Sequence, residues 1–216
     1  MKYSFVIFDL DGTLTDPGVG ITNSVAYALK KYGVTPPARE ELYRFIGPPL
    51  INMFMSEYGM TENDARRTLG YYREYFADRG IYENKLYPGI SGMLERLSAQ
   101  ARLAVATSKP DVFTERILNH FGIRKYFSYV SAVSLDESGP DKSGLILNAL
   151  ERTGVSPSAG VAMVGDRRFD MEGARRAGVT PIGALYGFGM EEELVSSGAK
   201  MIARDVPELE SILISD

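Results

Sequence analysis

The amino-acid sequence predicts an α/β protein: a Rossmann-like, doubly wound parallel sheet interrupted once by an inserted α-helical bundle. Three observations predict it. A short, β-rich apolar run from Tyr3 to Phe8 stops on the acidic, glycine-containing turn Asp9-Leu10-Asp11-Gly12, as a buried parallel strand does at its carboxyl end. From Leu103 onward, short apolar runs alternate with helical patterns, which implies right-handed βαβ units and a sheet covered on both faces. Between these two regions, from about Gly18 to Tyr82, the periodicity is helical and no strand candidate appears.

In chain order, Ile21, Val25, Leu29 and Tyr32 share one helix face before Gly33, and Ala65, Leu69, Tyr72 and Phe76 share another before Gly80. Thr61 and Asp64 have the spacing of a capping start for the second helix. Between the two lie Arg39 to Phe45, a Gly47-Pro48-Pro49 break and a Met-rich helix to Tyr58. The Met and Tyr enrichment from Met53 to Tyr82 reads most simply as bundle core, with some aromatics facing a cleft. After Tyr87-Pro88-Gly89 the predicted strands are Leu103 to Ala106, Tyr129 to Val133, Val161 to Val164 and Val179 to Gly183, with a last one near Met201. The turn-rich joints, Asp16 to Gly20 and Leu86 to Gly89, divide the chain into residues 1–16 with 87–216 and residues 17–86.

Composition narrows the function classes. With 216 residues, 44% hydrophobic and 24% charged, the chain is long enough for one sizeable core plus a small accessory domain. A net charge of -4, with no long Lys/Arg run, argues against nucleic-acid polymers and anionic membranes as partners, so a small anionic ligand needs a local positive trap. The absence of cysteine excludes disulfides and thiol chemistry and is compatible with the cytoplasm. The first apolar run is too short, and too soon charged, for a signal peptide or membrane span.

In open α/β sheets ligands bind beyond the carboxyl ends of the strands, so the polar residues that follow strands carry the argument. They are Asp9 and Asp11 in FDLDGTLTD, Thr107 with Ser108 beside it in LAVATSKP, and Asp166 with Asp170 in VAMVGDRRFD; Lys142 opens a helical pattern upstream of the last strand. Magnesium takes hard oxygen ligands, and Asp9, Asp166 and the Asp11 carbonyl supply them. A carboxylate attacks a dianionic phosphate only when cations neutralise the phosphoryl oxygens, which Mg2+ and Lys142 provide. Asp11, two residues from the nucleophile Asp9, is placed to act first as acid on the leaving group and then as base on water. Gly12 allows a tight turn that offers N–H groups to phosphate, and Thr107 adds a neutral hydroxyl donor.

On these residues the chain resembles a haloacid-dehalogenase superfamily phosphatase with a helical cap inserted after the first strand. FDLDGTLTD is similar to the family's DxDGT[LV] motif, Thr107 and Lys142 stand where its second and third motifs do, and GDRRFD is similar to GDxxxD. The narrower resemblance is to phosphoglycolate-phosphatase-like and 5′-nucleotidase-like members, through GITNS, FIGPPL and LYPGI. It implies a catalytic core of 1–16 and 87–216, a cap of 17–86, Asp9 as nucleophile, Asp11 as acid/base, Thr107 and Lys142 as phosphate binders, and Asp9, Asp11 and Asp166 as metal ligands. The third motif departs from many relatives, with Ser143 where they have proline after the lysine.

Blander readings stand beside these. Asp-x-Asp-Gly alone is an ordinary turn, and Asp166 and Asp170 alone are a helix cap and a surface acid. Asp170 either binds metal or instead holds Lys142 or a metal water. Arg44 and the Gly47 turn are either a helix stop or the cap's means of choosing the leaving group; His120, one turn before Gly122, reads as a helix-end residue. Gly187-Phe188-Gly189 lacks the third glycine and the context of a dinucleotide fingerprint. The expectation is an Mg2+-dependent phosphomonoesterase acting on a small phosphorylated metabolite, a nucleoside 5′-monophosphate or phosphoglycolate first, as monomer or homodimer. A phosphomutase and a silent phospholigand-binding module are the alternatives.

Overall fold

A computed structural model describes residues 2–136 and 139–214. The strands are β1 (Phe5–Phe8), β2 (Thr15–Asp16), β3 (Lys85–Leu86), β4 (Arg102–Pro110), β5 (Phe127–Val133), β6 (Val161–Gly165), β7 (Thr180–Ala184) and β8 (Met201–Ala203). The helices are α1 (Gly18–Tyr32), α2 (Arg39–Leu42), α3 (Leu50–Tyr58), α4 (Glu62–Tyr75), α5 (Ile90–Ser98), α6 (Asp111–His120), α7 (Lys142–Thr153), α8 (Arg168–Ala177), α9 (Glu191–Ser196) and α10 (Val206–Ile214). The chain divides into two compact units, Met1–Thr15 with Leu86–Asp216 and Asp16–Lys85.

The first unit is built on a six-stranded sheet in the order β5-β4-β1-β6-β7-β8, with every pairing parallel. Phe5 and Ile7 of β1 join Ala104 and Ala106 of β4 in one buried cluster with Leu145 and Ile146 of α7 and Ala174 of α8. Because strand side chains alternate faces, Val6 and Phe8, also fully buried, cover the opposite face. The sheet is therefore buried on both sides, as the apolar strand sequences require. The strand order reverses at β1, which lies between β4 and β6, so the carboxyl ends of these three strands form the switch point where such sheets bind ligands.

The second unit is helical. Val25, Ala28 and Leu29 of α1 and Ala65, Leu69 and Tyr72 of α4 are buried, and α1 and α3 both pack on α4. Tyr32, expected on the buried face of α1, is only half-buried and lies under the Arg67 guanidinium at 5.4 Å. Thr61 accepts from Asp64 N at 3.2 Å and starts α4, as the spacing implies. The helical register does not run unbroken to Gly80: α4 gives way to a π-turn over Phe76–Gly80. A side chain on Gly20 would stand 1.9 Å from Gly80 O, so glycine lets the two backbones meet there. Of the Met- and Tyr-rich stretch, Phe54, Met60, Tyr72 and Phe76 are buried, whereas Met55 and Tyr82 are exposed.

β4 ends later than expected and α7 begins where expected, each for a local reason. β4 runs four residues past Ala106, because Lys109 precedes a proline and is held extended. α7 begins at Lys142 without the proline because Asp141 caps it, its carboxylate accepting from Gly144 N at 3.0 Å.

Candidate active site

Three of the expected residues come from the three strand ends of the switch point. Asp9 follows β1, and its N–H extends the ladder to Val164 O at 2.9 Å. Thr107 lies near the end of β4, and Asp166 follows β6. The loop after Asp9 is folded tightly: Leu10 O accepts from Leu14 N and Thr15 N, and Gly12 takes φ +86°. A side chain on Gly12 would meet Asp166 Oδ2 at 2.1 Å, so glycine is required both by conformation and by space.

Lys142, at the start of α7, ties the acids together. Its Nζ lies 3.0 Å from Asp9 Oδ1, 2.8 Å from Asp170 Oδ1 and 3.2 Å from Ala106 O, with the side chain 6% exposed. Burial opposes its charge, but Asp170 and Asp9 outweigh burial and hold the lysine above its ordinary pKa. Asp170 is itself pushed up to about 6 by burial, against the pull of Lys142, and its Oδ2 accepts from Arg167 N at 3.1 Å. Asp170 thus caps α8 and holds Lys142 at once.

Asp9, Asp166 and Asp170 bring ligand oxygens within 4.8 Å of one another, all buried. Burial, then Asp170 and Asp9, push the Asp166 carboxyl well above the usual range. Asp9 Oδ1 and Asp170 Oδ1 accept no aligned hydrogen bond although they face Lys142. Among the described residues, the four acids Asp9, Asp11, Asp166 and Asp170 face two lysines, Lys109 and Lys142, so two negative charges are left over within this set when all are ionised. A buried oxygen cluster short of two positive charges fits a hard divalent cation.

Thr107 Oγ1 accepts from Lys109 N at 3.3 Å, which leaves its O–H free to donate; Ser108 follows, partly exposed. Thr107→Ala is expected to slow turnover by roughly 10–1,000-fold, the span seen when one neutral donor to a transition state is lost, with little change in melting. Arg44 and Gly47 belong to the helical unit. Arg44 Nη1 is paired with Glu57 Oε2 at 2.7 Å, and Gly47 turns the chain at φ +104°.

Several residues at this site escaped the sequence reading. Lys109 Nζ lies 2.6 Å from Asp11 Oδ2, and burial raises the Asp11 pKa while Lys109 pulls it down. Thr13 Oγ1 donates to Asp166 Oδ1 at 3.4 Å, and Phe188 N to Asp166 Oδ2 at 2.9 Å. Tyr186 donates its O–H to Thr13 O at 3.0 Å, bracing the loop after Asp9. Gly187-Phe188-Gly189 is thus a cradle for Asp166, and its placement in the loop after β7, which ends at Ala184, is the signal that points to it. A side chain on Gly189 would stand 1.9 Å from Asp166 O, whereas one on Gly70, in exposed α4 backbone, would meet nothing within 4 Å. Gly189→Ala is therefore expected to lose activity at least tenfold and about 1–3 kcal/mol of stability. Gly70→Ala should gain about 0.5–1 kcal/mol with turnover unchanged; urea melts and initial rates on both proteins check the pair.

The family model described as "Haloacid dehalogenase-like hydrolase" matches residues 6–184. The chain belongs to that family. This haloacid dehalogenase-like hydrolase is 41% identical to a 5′-nucleotidase of Pseudomonas aeruginosa, over all of this chain and 97% of the relative. It is 35% identical to the tyrosine-protein kinase PtkA of Mycobacterium tuberculosis over 96% of this chain and 72% of that protein. The crystal structure of a predicted phosphatase from Clostridium acetobutylicum superposes with a TM-score of 0.93 at 42% identity, covering 98% of each chain. The doubly wound fold and the phosphatase class of this hydrolase follow from these matches. Among the described residues no helix is long and apolar enough to cross a membrane.

Proposed function

We propose that this hydrolase cleaves small phosphate monoesters, nucleoside 5′-monophosphates foremost, through a phosphoaspartate on Asp9. The observation that carries the proposal is the joint placement of Asp9 and Asp11 on one buried turn, each facing a different lysine: Asp9 meets Lys142 at 3.0 Å and Asp11 meets Lys109 at 2.6 Å. A carboxylate oxygen of Asp9 attacks phosphorus, and the bond from phosphorus to the ester oxygen breaks. Asp11 protonates the departing alkoxide, then takes a proton from the water that attacks the acyl phosphate. Cleavage of the bond between Asp9 and phosphorus releases inorganic phosphate and returns Asp9 as carboxylate. Lys142 and the Thr107 hydroxyl donate to the phosphoryl oxygens. Mg2+, held by Asp9 and Asp166 with Asp170 beside them, supplies positive charge to those oxygens when bound.

Choice of leaving group is assigned to the helical unit. Arg44, already paired with Glu57, presents little net charge to a second anion, which favours a neutral organic end such as a nucleoside over the carboxylate of phosphoglycolate. Arg44→Ala is expected to lower kcat/KM for the best natural ester severalfold or more while leaving 4-nitrophenyl phosphate within about twofold, since the aryl ester draws no binding energy from that residue. Equal loss on both would assign Arg44 to the fold.

The reading is tested by turnover of a panel of nucleoside monophosphates, phosphoglycolate and sugar phosphates, with Mg2+ and after chelation. Stoichiometric inorganic phosphate, lost on chelation and restored by Mg2+, is the expected result. Transfer of label to a sugar or tyrosine hydroxyl in place of phosphate release would make the protein a transferase.

A further inference from the structure

We infer that Lys109 is a positioning residue for the reaction: it anchors one oxygen of Asp11 and leaves the other, Oδ1, as the oxygen that exchanges the proton. The inference rests on the proposed role of Asp11 as acid and base. Asp11 Oδ2 meets Lys109 Nζ at 2.6 Å, with the two side chains 12% and 7% exposed. Asp11 Oδ1 is buried and accepts no hydrogen bond. A carboxylate tied at one oxygen by a charge-assisted bond has its rotation set, so its open oxygen faces one direction.

The backbone explains how a lysine comes to point there. The ladder of β4 against β5 runs in step from Ala104 to Thr107 and then slips, with Pro110 the next residue paired. Irregularities of this kind re-aim side chains. Ser108 and Lys109 fall in the slip, and the segment is pinned on both sides: Lys109 N donates to Thr107 Oγ1 at 3.3 Å, and Thr114 Oγ1 donates to Lys109 O at 3.4 Å. Pro110 then fixes the entry to α6. Lys109 thus projects from a fixed stretch of chain between the phosphate-binding hydroxyl and the helix, which suits an anchor better than a mobile surface lysine. Lys109 holds Asp11, whereas Asp9 is held by Lys142, so the effect of Lys109 on chemistry is expected to pass through proton transfer more than through attack.

The test uses Lys109→Met, which keeps the stem and removes the charge, Lys109→Gln, which keeps a neutral donor, Asp11→Asn, and the Lys109→Met/Asp11→Asn double variant, each with its melting temperature. The readout is kcat/KM with Mg2+ on 4-nitrophenyl phosphate and on unsubstituted phenyl phosphate, whose poorer leaving group depends more on protonation. Lys109→Met is expected to slow phenyl phosphate by about 100-fold and 4-nitrophenyl phosphate by less than about tenfold, within the range ascribed to general acid catalysis. Lys109→Gln should fall between Lys109→Met and wild type. Added to Asp11→Asn, Lys109→Met should cost no more than about twofold further, because the two residues act as one unit. Equal losses on the two esters, or a double variant showing the product of the single losses, would overturn the inference. Asp9→Asn separates the cases: if it stays active the phosphoaspartate reading itself fails, whereas an inactive Asp9→Asn with an additive cycle removes only the role given to Lys109.

Discussion

Asp9→Asn is expected to reduce turnover by about 10⁴-fold or more while the protein stays folded. The substitution keeps the side chain's size but removes the charge to which the proposed mechanism gives the attack, and losses of that order accompany removal of a nucleophile. Stability should change little, because two effects oppose each other. Lys142 loses a partner at 3.0 Å, but the cluster of Asp166 and Asp170 loses a third like charge, and burial together with such repulsion already raises the Asp166 pKa. A melting shift of no more than about 4 °C corresponds to roughly 1–2 kcal/mol in a protein of this size. Residual activity within tenfold of wild type, with normal melting, would end the phosphoaspartate mechanism. Acid-quenched wild type should in addition carry phosphate that Asp9→Asn does not.

Lys142→Met is expected to strike both activity and stability. Its side chain is 6% exposed and its ammonium holds two carboxylates and the Ala106 carbonyl, so its loss leaves Asp9 and Asp170 facing each other unbridged in a buried site. Breaking a buried ion pair from one side costs about 3–5 kcal/mol, which at about 2–4 °C per kcal/mol lowers melting by roughly 10 °C. Turnover should fall by more than the Thr107→Ala loss, since in the proposed mechanism Lys142 is a charged donor to the phosphoryl group and Thr107 a neutral one. Mg2+ should recover more melting temperature in Lys142→Met than in wild type, because a divalent cation relieves the same repulsion. Equal metal response in the two proteins would show that the cation and the lysine do not share these carboxylates.

These effects differ in how far the sequence foretold them. The placement of Asp9, Lys142 and Asp166 was legible because each follows, or opens, an element whose apolar period is clear, whereas Thr107, expected just after a strand, lies inside β4. The parallel, doubly covered sheet needed no more than the alternation of strand and helix patterns, whereas the order β5-β4-β1-β6-β7-β8 came only with the structure. The charge states were not legible. A lysine at the start of a helix is usually solvated, and only the approach of Asp9 and Asp170 makes Lys142 a buried bridge.

By itself, the sequence determined the parallel sheet, the helical insert and the strand ends that hold the acids, because hydrophobic period and turn chemistry are local properties. Tertiary structure alone decided the rest of the site. Lys109 and Asp11 are 98 residues apart, and their bond depends on a slip in β-pairing that no local pattern announces. Gly187, Phe188 and Gly189 serve Asp166 only because β6 and β7 are neighbours, bringing a loop 22 residues on against that carboxylate. Arg44 was legible as a cation, but its pairing with Glu57 was not, since the Gly47-Pro48-Pro49 break and α3 between them set which carboxylate it meets. Local physics selects the elements; distances between side chains far apart in sequence exist only once those elements are packed.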